Sequence, residues 1–268
     1  AAASQSAPAG ISANIGNATI NAGRNVSVAS LDTLNVKLIT GAVGVGLVGV
    51  GAGIGVLDVD TTNTARIAGA SVVAAGDLAV AATTSHTLKG ASVAGSVGLA
   101  AAVSGDVAII SDSSDTYAYV SGGVVKVVGG AAVNATSTRS GTADGYGVAF
   151  GGGGAVGISV ASVTLGGAVS AYVEDAAIGA DTDRAGSVTV EASATDTAIT
   201  YSLAGSGGIG LALQGSVATA SVGTTSSAYF DNAAIYANGG IALRSTSLQR
   251  TDAEAEGYAV AGILAARL

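Results

Sequence analysis

Histidine is the side chain most readily turned to acid–base chemistry or metal binding near neutral pH. This chain has one, His86, in the hydroxyl-rich stretch ATTSHT. With no second His and no Cys in 268 residues, neither a His pair nor a thiolate site can hold a metal, and no disulfide framework can form. The sequence therefore places His86 on an exposed polar strand. Carboxylates come in three close pairs: Asp58/Asp60, Asp112/Asp115 and Asp181/Asp183. Alternate Asp residues on a strand share a face and could bind Ca²⁺. The Gly-Gly-x-Gly-x-Asp nonapeptide of Ca²⁺ rolls does not occur, however, and the pairs fall at different points of the repeat described below. Solvated turn acids are the default, a loosely held surface Ca²⁺ the alternative, and no other cofactor is expected.

A β-helical polysaccharide-cleaving enzyme would need carboxylates clustered with a base or cation. The 18 acids are spread along the chain without such a constellation, so a non-catalytic protein is expected. Thr83, Thr136, Ser193 and Thr246 recur at matching places, as an ice-binding face would require, but neighbouring Ala, Arg and Leu break the array. Solvated strand faces explain them more simply. GGGG at 151–154 has no following Lys-Ser/Thr and is not a phosphate loop. A net charge of −8 with no basic stripe excludes nucleic acid as a natural partner.

These residues must be positioned by a chain of unusual composition. Hydrophobic residues reach 49%, yet aromatics are 4% and there are 42 Gly and one Pro, so the apolar content is mostly Ala and Val. Side chains this small cannot fill a wide interior. Stacked sheets or a solenoid suit them better than a globule. Charged residues, at 10%, fall well below the roughly 25% of an average soluble domain. Low charge, acidity and the lack of Cys fit a secreted bacterial protein. The lack of any Met suggests a processed product or a piece of a longer one, and AAASQSAPAG has no signal-peptide pattern.

A repeat runs through the chain. ANIGNATI starts at Ala13, ARIAGASV at Ala65, AYVSGGVV at Ala118, AYVEDAAI at Ala171 and AYFDNAAI at Ala228. The intervals are 52, 53, 53 and 57, the last lengthened by DTDR at 181–184. Each anchor leads through a Gly turn to a short alternating strand, a hydroxyl-rich stretch, a long Gly/Ala/Val stretch and a polar-flecked return. The fold expected is all-β: a parallel β-helix-like solenoid rod of about five units of 52–57 residues, each with short coil strands and a long Gly/Ala/Val strand pair. Residues 1–268 form one array, with 1–12 resembling the return strand of a preceding unit. The residues beyond Ala228 and before Ala13 together make one more typical period. Copies could thus meet head to tail, one completing the other by strand addition through Ala1, Ile11, Ile263, Leu264 and Leu268. A segment cut from a longer array is the alternative.

The apolar run from Leu38 to Leu57, broken only by Thr40, is long enough to span a membrane as a helix, but its stretch GAVGVGLVGVGAGIGV at 41–56 alternates with a period of two and slips phase at Leu47–Val48. A helix here would carry seven Gly, each costing about 1 kcal/mol against Ala. The stretch reads as a buried strand–turn–strand. An outer-membrane barrel is disfavoured, because no aromatic girdles occur and the other strands carry Ser, Thr and Asp. The protein is not expected to be integral to a membrane. In-register stacking would place Tyr119, Tyr172 and Tyr229 in one column continued by Arg66 and Asn14, with Tyr146, Tyr201 and Tyr258 near a second. Stacking ladders are the simpler reading of these Tyr, and a glycan-binding strip the other.

NTARIAGASVVAAGDLAVAA (63–82) and SAYVEDAAIGADTDRAGSVTVEA (170–192) resemble repeats of large bacterial surface exoproteins, the filamentous-haemagglutinin-like and fusobacterial leukotoxin-like adhesins. The resemblance covers 13–268, although ANI and ARI lack the Tyr of the anchor. It implies secretion through an outer membrane to the surface of a Gram-negative-type bacterium, a repetitive β rod, and adhesion or matrix building without catalysis. The functional expectation is a structural subunit of an extracellular filament whose partners are further copies of itself. The alternative is the stalk or binding region of a giant adhesin that recognises cell-surface glycans or proteins.

Overall fold

The computed structural model describes residues 2–262 and 264–267, with side chains from residue 10 to residue 262. The described residues form an all-β structure without a helix, in which fourteen strands join into one sheet. They are β1 (Ala2–Gly16), β2 (Thr19–Ala22), β3 (Val26–Ala74), β4 (Leu78–Asp112), β5 (Asp115–Val127), β6 (Gly130–Gly151), β7 (Gly154–Leu165), β8 (Ala168–Ile178), β9 (Ser187–Gly208), β10 (Leu211–Val222), β11 (Thr225–Asp231), β12 (Ala234–Ile235), β13 (Ile241–Ala261) and β14 (Leu264–Arg267). Every pairing between them is parallel.

Register follows the sequence period. Ala13, Ala65, Ala118, Ala171 and Ala228 stand side by side across four successive pairings. Bonded partners lie 52, 53 or 57 residues apart. The DTDR insertion accounts for the longest step: Ala180 and Asp183 exchange backbone hydrogen bonds of 2.9 and 3.2 Å, closing a small loop outside the ladder. After each anchor the backbone bends through a left-handed residue at one shared position: Asn17 (φ 46°), Gly69 (65°), Gly122 (62°), Asp175 (50°) and Asn232 (45°). Gly, Asn and Asp tolerate this region best, which explains why each anchor carries one of them at its fifth position.

Beyond each anchor the chain runs out and doubles back. β6 runs out, the chain reverses at 152–153, and β7 and β8 return with a break at 166–167. β3 makes the same reversal while remaining continuously hydrogen bonded. Its register slips between Gly46 and Val48, and Val36 and Leu57 then meet in one core cluster. The strand–turn–strand expected about Leu47–Val48 is therefore present. Where the anchor strands face the start of the long strands, Val, Ile, Leu and Ala side chains such as Ile67, Val80, Val120, Val133, Val173 and Val190 fill the interior. Further out lies a smaller cluster around Leu88, Ile110, Val163 and Leu165, and near the tip only Ala102, Ala149 and Ala155 remain.

In the tip arm the expected arrangement is reversed. Gly lines the interior while Val43 and Val45, each 76% exposed, point outward. The two layers of backbone come too close for side chains. A Cβ on Gly147 would stand 2.1 Å from the carbonyl oxygen of Ile158, and one on Gly51 2.1 Å from that of Gly95. The stretch is buried through its backbone, and its aliphatic side chains form the surface, contrary to the buried segment expected. Strand alternation allows both assignments; the side with no Cβ is the one that permits contact.

Candidate functional site

Where the return strands break, at 113–114, 166–167 and 223–224, carbonyl groups leave the ladder inside the molecule. Buried carbonyls need donors. The long strands supply them from one column, in which Leu34, His86, Arg139, Asp196 and Gln249 are in register. Arg139 donates through Nη1 to the carbonyls of Ser114 (3.2 Å) and Gly166, and through Nη2 to Thr224 Oγ1. Its Nε donates to Asp196 Oδ1 at 2.9 Å. Gln249 repeats the device by donating to the Thr224 carbonyl at 2.8 Å.

The same seam holds a chain of charges. His86 Nδ1 lies 2.9 Å from Asp112 Oδ2, and its Nε2 lies 3.2 Å from Asp32 Oδ2. Asp112 Oδ1 accepts from the Ser114 amide at 3.0 Å and lies 3.7 Å from Arg139 Nη1. Thr61 Oγ1 donates to Asp32 at 2.7 Å. Burial opposes a charged His86, but the hydrogen bond and charge of Asp112, with Asp32 behind it, outweigh burial and raise its pKa. Burial likewise opposes ionised Asp112. The His86 and Ser114 hydrogen bonds and the Arg139 charge prevail and lower its pKa. Asp32, His86, Asp112, Arg139 and Asp196 thus form one connected network in which three carboxylates face two cations.

This corrects two expectations. His86 is 1% exposed, not on a solvated strand, and three of the acids do gather, around His86 and Arg139. The signal was available: counting by twos from Leu78 and Val80 puts His86 on the core face. The stretches ATTSHT, ATSTRS and ASATDT also place His, Arg and Asp at one repeat position. Reading the polarity as solvation concealed it. Both ring nitrogens of His86 face carboxylates and its side chain has no solvent exposure, so the arrangement acts as an internal cross-link.

A second polar seam lies nearer the tip and carries no cation. Asp106 accepts from Ser159 Oγ at 3.3 Å, Ser202 donates to Ser159 at 2.8 Å, and Ser216 donates to Ser202 at 2.8 Å. Burial pushes the Asp106 carboxyl up to about 7, against the lowering effect of Ser159 and the Tyr146 backbone. Among the described residues no group of three or more His, Cys, Asp or Glu side chains is placed to hold a metal ion. Asp58 and Asp60 are exposed. Asp112 is buried apart from the half-buried Asp115, and Asp183 and Asp181 contact Lys126 (2.9 Å) and Arg184 (3.4 Å).

Tyr119 and Tyr172 stack at 4.7 Å with 5° between planes, and Tyr172 and Tyr229 at 4.9 Å with 2°. Arg66 extends the column, donating to Tyr119 Oη at 3.0 Å and to Asn14 Oδ1 at 3.1 Å. The other three Tyr do not share a column. Tyr146 pairs with Leu203, Tyr201 with Asp144 and Glu254, and Tyr258 with Gly205. Tyr146 and Tyr201 meet only diagonally, at 5.7 Å and 50°, since neighbours offset by two remain within reach of large rings.

At the two ends of the sheet the ladder is open. β13 pairs with β9 on one side only, and β14 pairs with just Leu211–Gln214 of β10. The β13 side chains that continue the core columns are uncovered, with Ile241 52% and Leu243 48% exposed. At the opposite end β1, β2 and residues 26–53 of β3 form the other open edge. Of the expected seam residues, Ile11 pairs with Asn63 on β1 and Leu264 with Leu211 on β14, while Ala1, Ile263 and Leu268 lie outside the described residues.

Comparison with family models, curated proteins and solved structures gives no match. The functional reading therefore rests on these edges, seams and ladders. Among the described residues no helix is long and apolar enough to cross a membrane.

Proposed function

We propose that this chain is a non-catalytic structural protein, a β-solenoid of five turns that forms or belongs to an extracellular filament by head-to-tail strand completion. The observation that carries this reading is the complementarity of the two open edges. The column of Ala2 runs through Ile54, Val107 and Val160 to Val217, on the part of β10 that β14 leaves unpaired. The column of Val26 runs through Leu78, Ala131 and Val188 to Ile241. A second copy set one step beyond the last layer would lay its β1 on β10 and β11 and its β3 on β13. Its β1 would also cover the exposed inner face of Ile241 and Leu243. Unpaired edges of this length are templates for strand addition, and a heterologous contact that does not close makes a fibre.

The resemblance of the repeats to those of bacterial surface exoproteins supports a location outside a Gram-negative-type cell. The alternative is a stalk or binding region of a giant adhesin. It draws on the same geometry, since edges open in register also suit further turns of one longer chain. Electron microscopy of the purified chain tests the proposal. Unbranched fibres with an axial repeat of about five strand spacings, near 24 Å, are expected. Dispersed short rods at all concentrations would sink it.

A further inference from the structure

The two open edges carry opposite charge in shared columns. Lys37 and Lys89 are direct neighbours in register, and their column continues through Thr142 and Ile199 to Asp252. Like charges directly opposite on adjacent strands repel. Lys37 and Lys89 are both exposed, and neither has an ion-pair partner among the described residues. At the other edge Asp252, Glu254 and Glu256 alternate along β13 on its outer face. Asp252 has only an exposed Arg250 at 3.8 Å, within its own strand. The two edges thus bear opposite charges at the same place along the column, Lys37 without an ion-pair partner among the described residues and Asp252 with only the long, exposed Arg250 contact.

We infer that the partner of the β13 edge is the Lys37 edge of a second copy, selected by an ion pair between Asp252 and the partner copy's Lys37. This rests on the axial reading above and adds what chooses the register and polarity of the junction. Continuing the column one strand spacing, about 4.8 Å, sets Lys37 beside Asp252. The order along the column becomes Ile199, Asp252, Lys37, Lys89, so the acid relieves the lysine pair. A copy slipped by two residues would bring Lys37 to Glu254 and lose the match of the core columns. A copy turned end for end would reverse the strand direction and lose the pairing of Asp252 with Lys37, so the charges favour head-to-tail contacts.

The test is a charge swap followed by light scattering and electron microscopy of filament growth. Lys37→Glu and Asp252→Lys alone should each raise the critical concentration roughly tenfold, from lost attraction plus new repulsion. The double variant, which restores opposite charges, should return to within about threefold of the native chain. Raising NaCl to about 1 M, where screening acts within about 3 Å, should weaken native growth and erase the differences. Circular dichroism of the exposed-site variants controls for folding. Single variants that grow like the native chain, or a double variant that fails to recover, overturn the ion pair while leaving axial assembly intact. A native chain that never grows filaments removes both.

Discussion

The base of the cross-section and its Gly-lined arm use similar strands to opposite ends. In the base, Val, Ile and Leu alternate inward, as at Val80, Val133 and Val190, and the layers are separated by side chains. In the arm, Gly alternates inward, the layers touch through backbone, and Val43, Val45 and their neighbours become surface. Their polar seams differ in the same sense. The base seam sets His86 and Arg139 against Asp32, Asp112 and Asp196. The arm seam gives Asp106 a hydroxyl and a backbone partner but no cation. Burial is thus met by opposite charges in one region, while in the other it pushes the Asp106 carboxyl toward the protonated form. Apolar content alone decides neither which face is the core nor how polarity is buried.

The largest test of this contrast removes the cation of the base. Arg139→Ala leaves the buried Asp196 without its cation and removes the Arg139 charge beside Asp112, and should cost about 3–5 kcal/mol in chemical denaturation. Replacing Arg139 and Asp196 together by Leu should cost much less. A double variant as damaged as the single would show that the carbonyls of Ser114 and Gly166, not the charges, are what Arg139 serves.

Next comes pH. Asp106 is raised in the folded state to about 7, so its stability contribution is present below the unfolded value near 4 and lost as pH rises to about 7. Asp106→Asn should leave stability at pH 4 nearly unchanged and add on the order of 3 kcal/mol at pH 8. The base seam behaves otherwise. Raised His86 contributes below its unfolded value near 6.5 and loses that contribution as pH rises through its folded value. Lowered Asp112 contributes above about 3.9 and loses it as pH falls through its folded value. In a His86→Gln variant the alkaline loss should shrink, as read from denaturation midpoints across pH.

Gly147→Ala should cost about 1–3 kcal/mol, since its Cβ would strike backbone that cannot move aside. Hydrogen exchange should show the loss confined to the arm. An equal loss of protection in the anchor strands would mean that arm and base unfold as one unit. Smallest is Tyr172→Leu, which removes both ring stacks but keeps an apolar column and should cost about 1 kcal/mol in thermal melting.

Much of the strand register was legible because the sequence repeats itself. Each of Asn14, Arg66, Tyr119, Tyr172 and Tyr229 directly follows its anchor Ala, which puts them in one column, where they are found. The second group of Tyr shares a neighbourhood but not a repeat position, so offsets of two or more residues keep Tyr146, Tyr201 and Tyr258 out of one column. The buried seam was missed for a different reason. Its polarity matched that of a solvated strand, and only the break in the facing strands makes interior donors necessary.

By itself, then, the sequence determined the period, the pairing partners and the left-handed bend after each anchor, because these depend on local backbone preference and on position along the chain. The tertiary structure decided which face of each alternating strand became interior. That choice depends on the distance between facing layers, which narrows from side-chain width at Val133 to backbone contact at Gly147. It also decided that His86, Arg139 and three distant carboxylates would meet, since their contact spans strands that only the fold brings face to face.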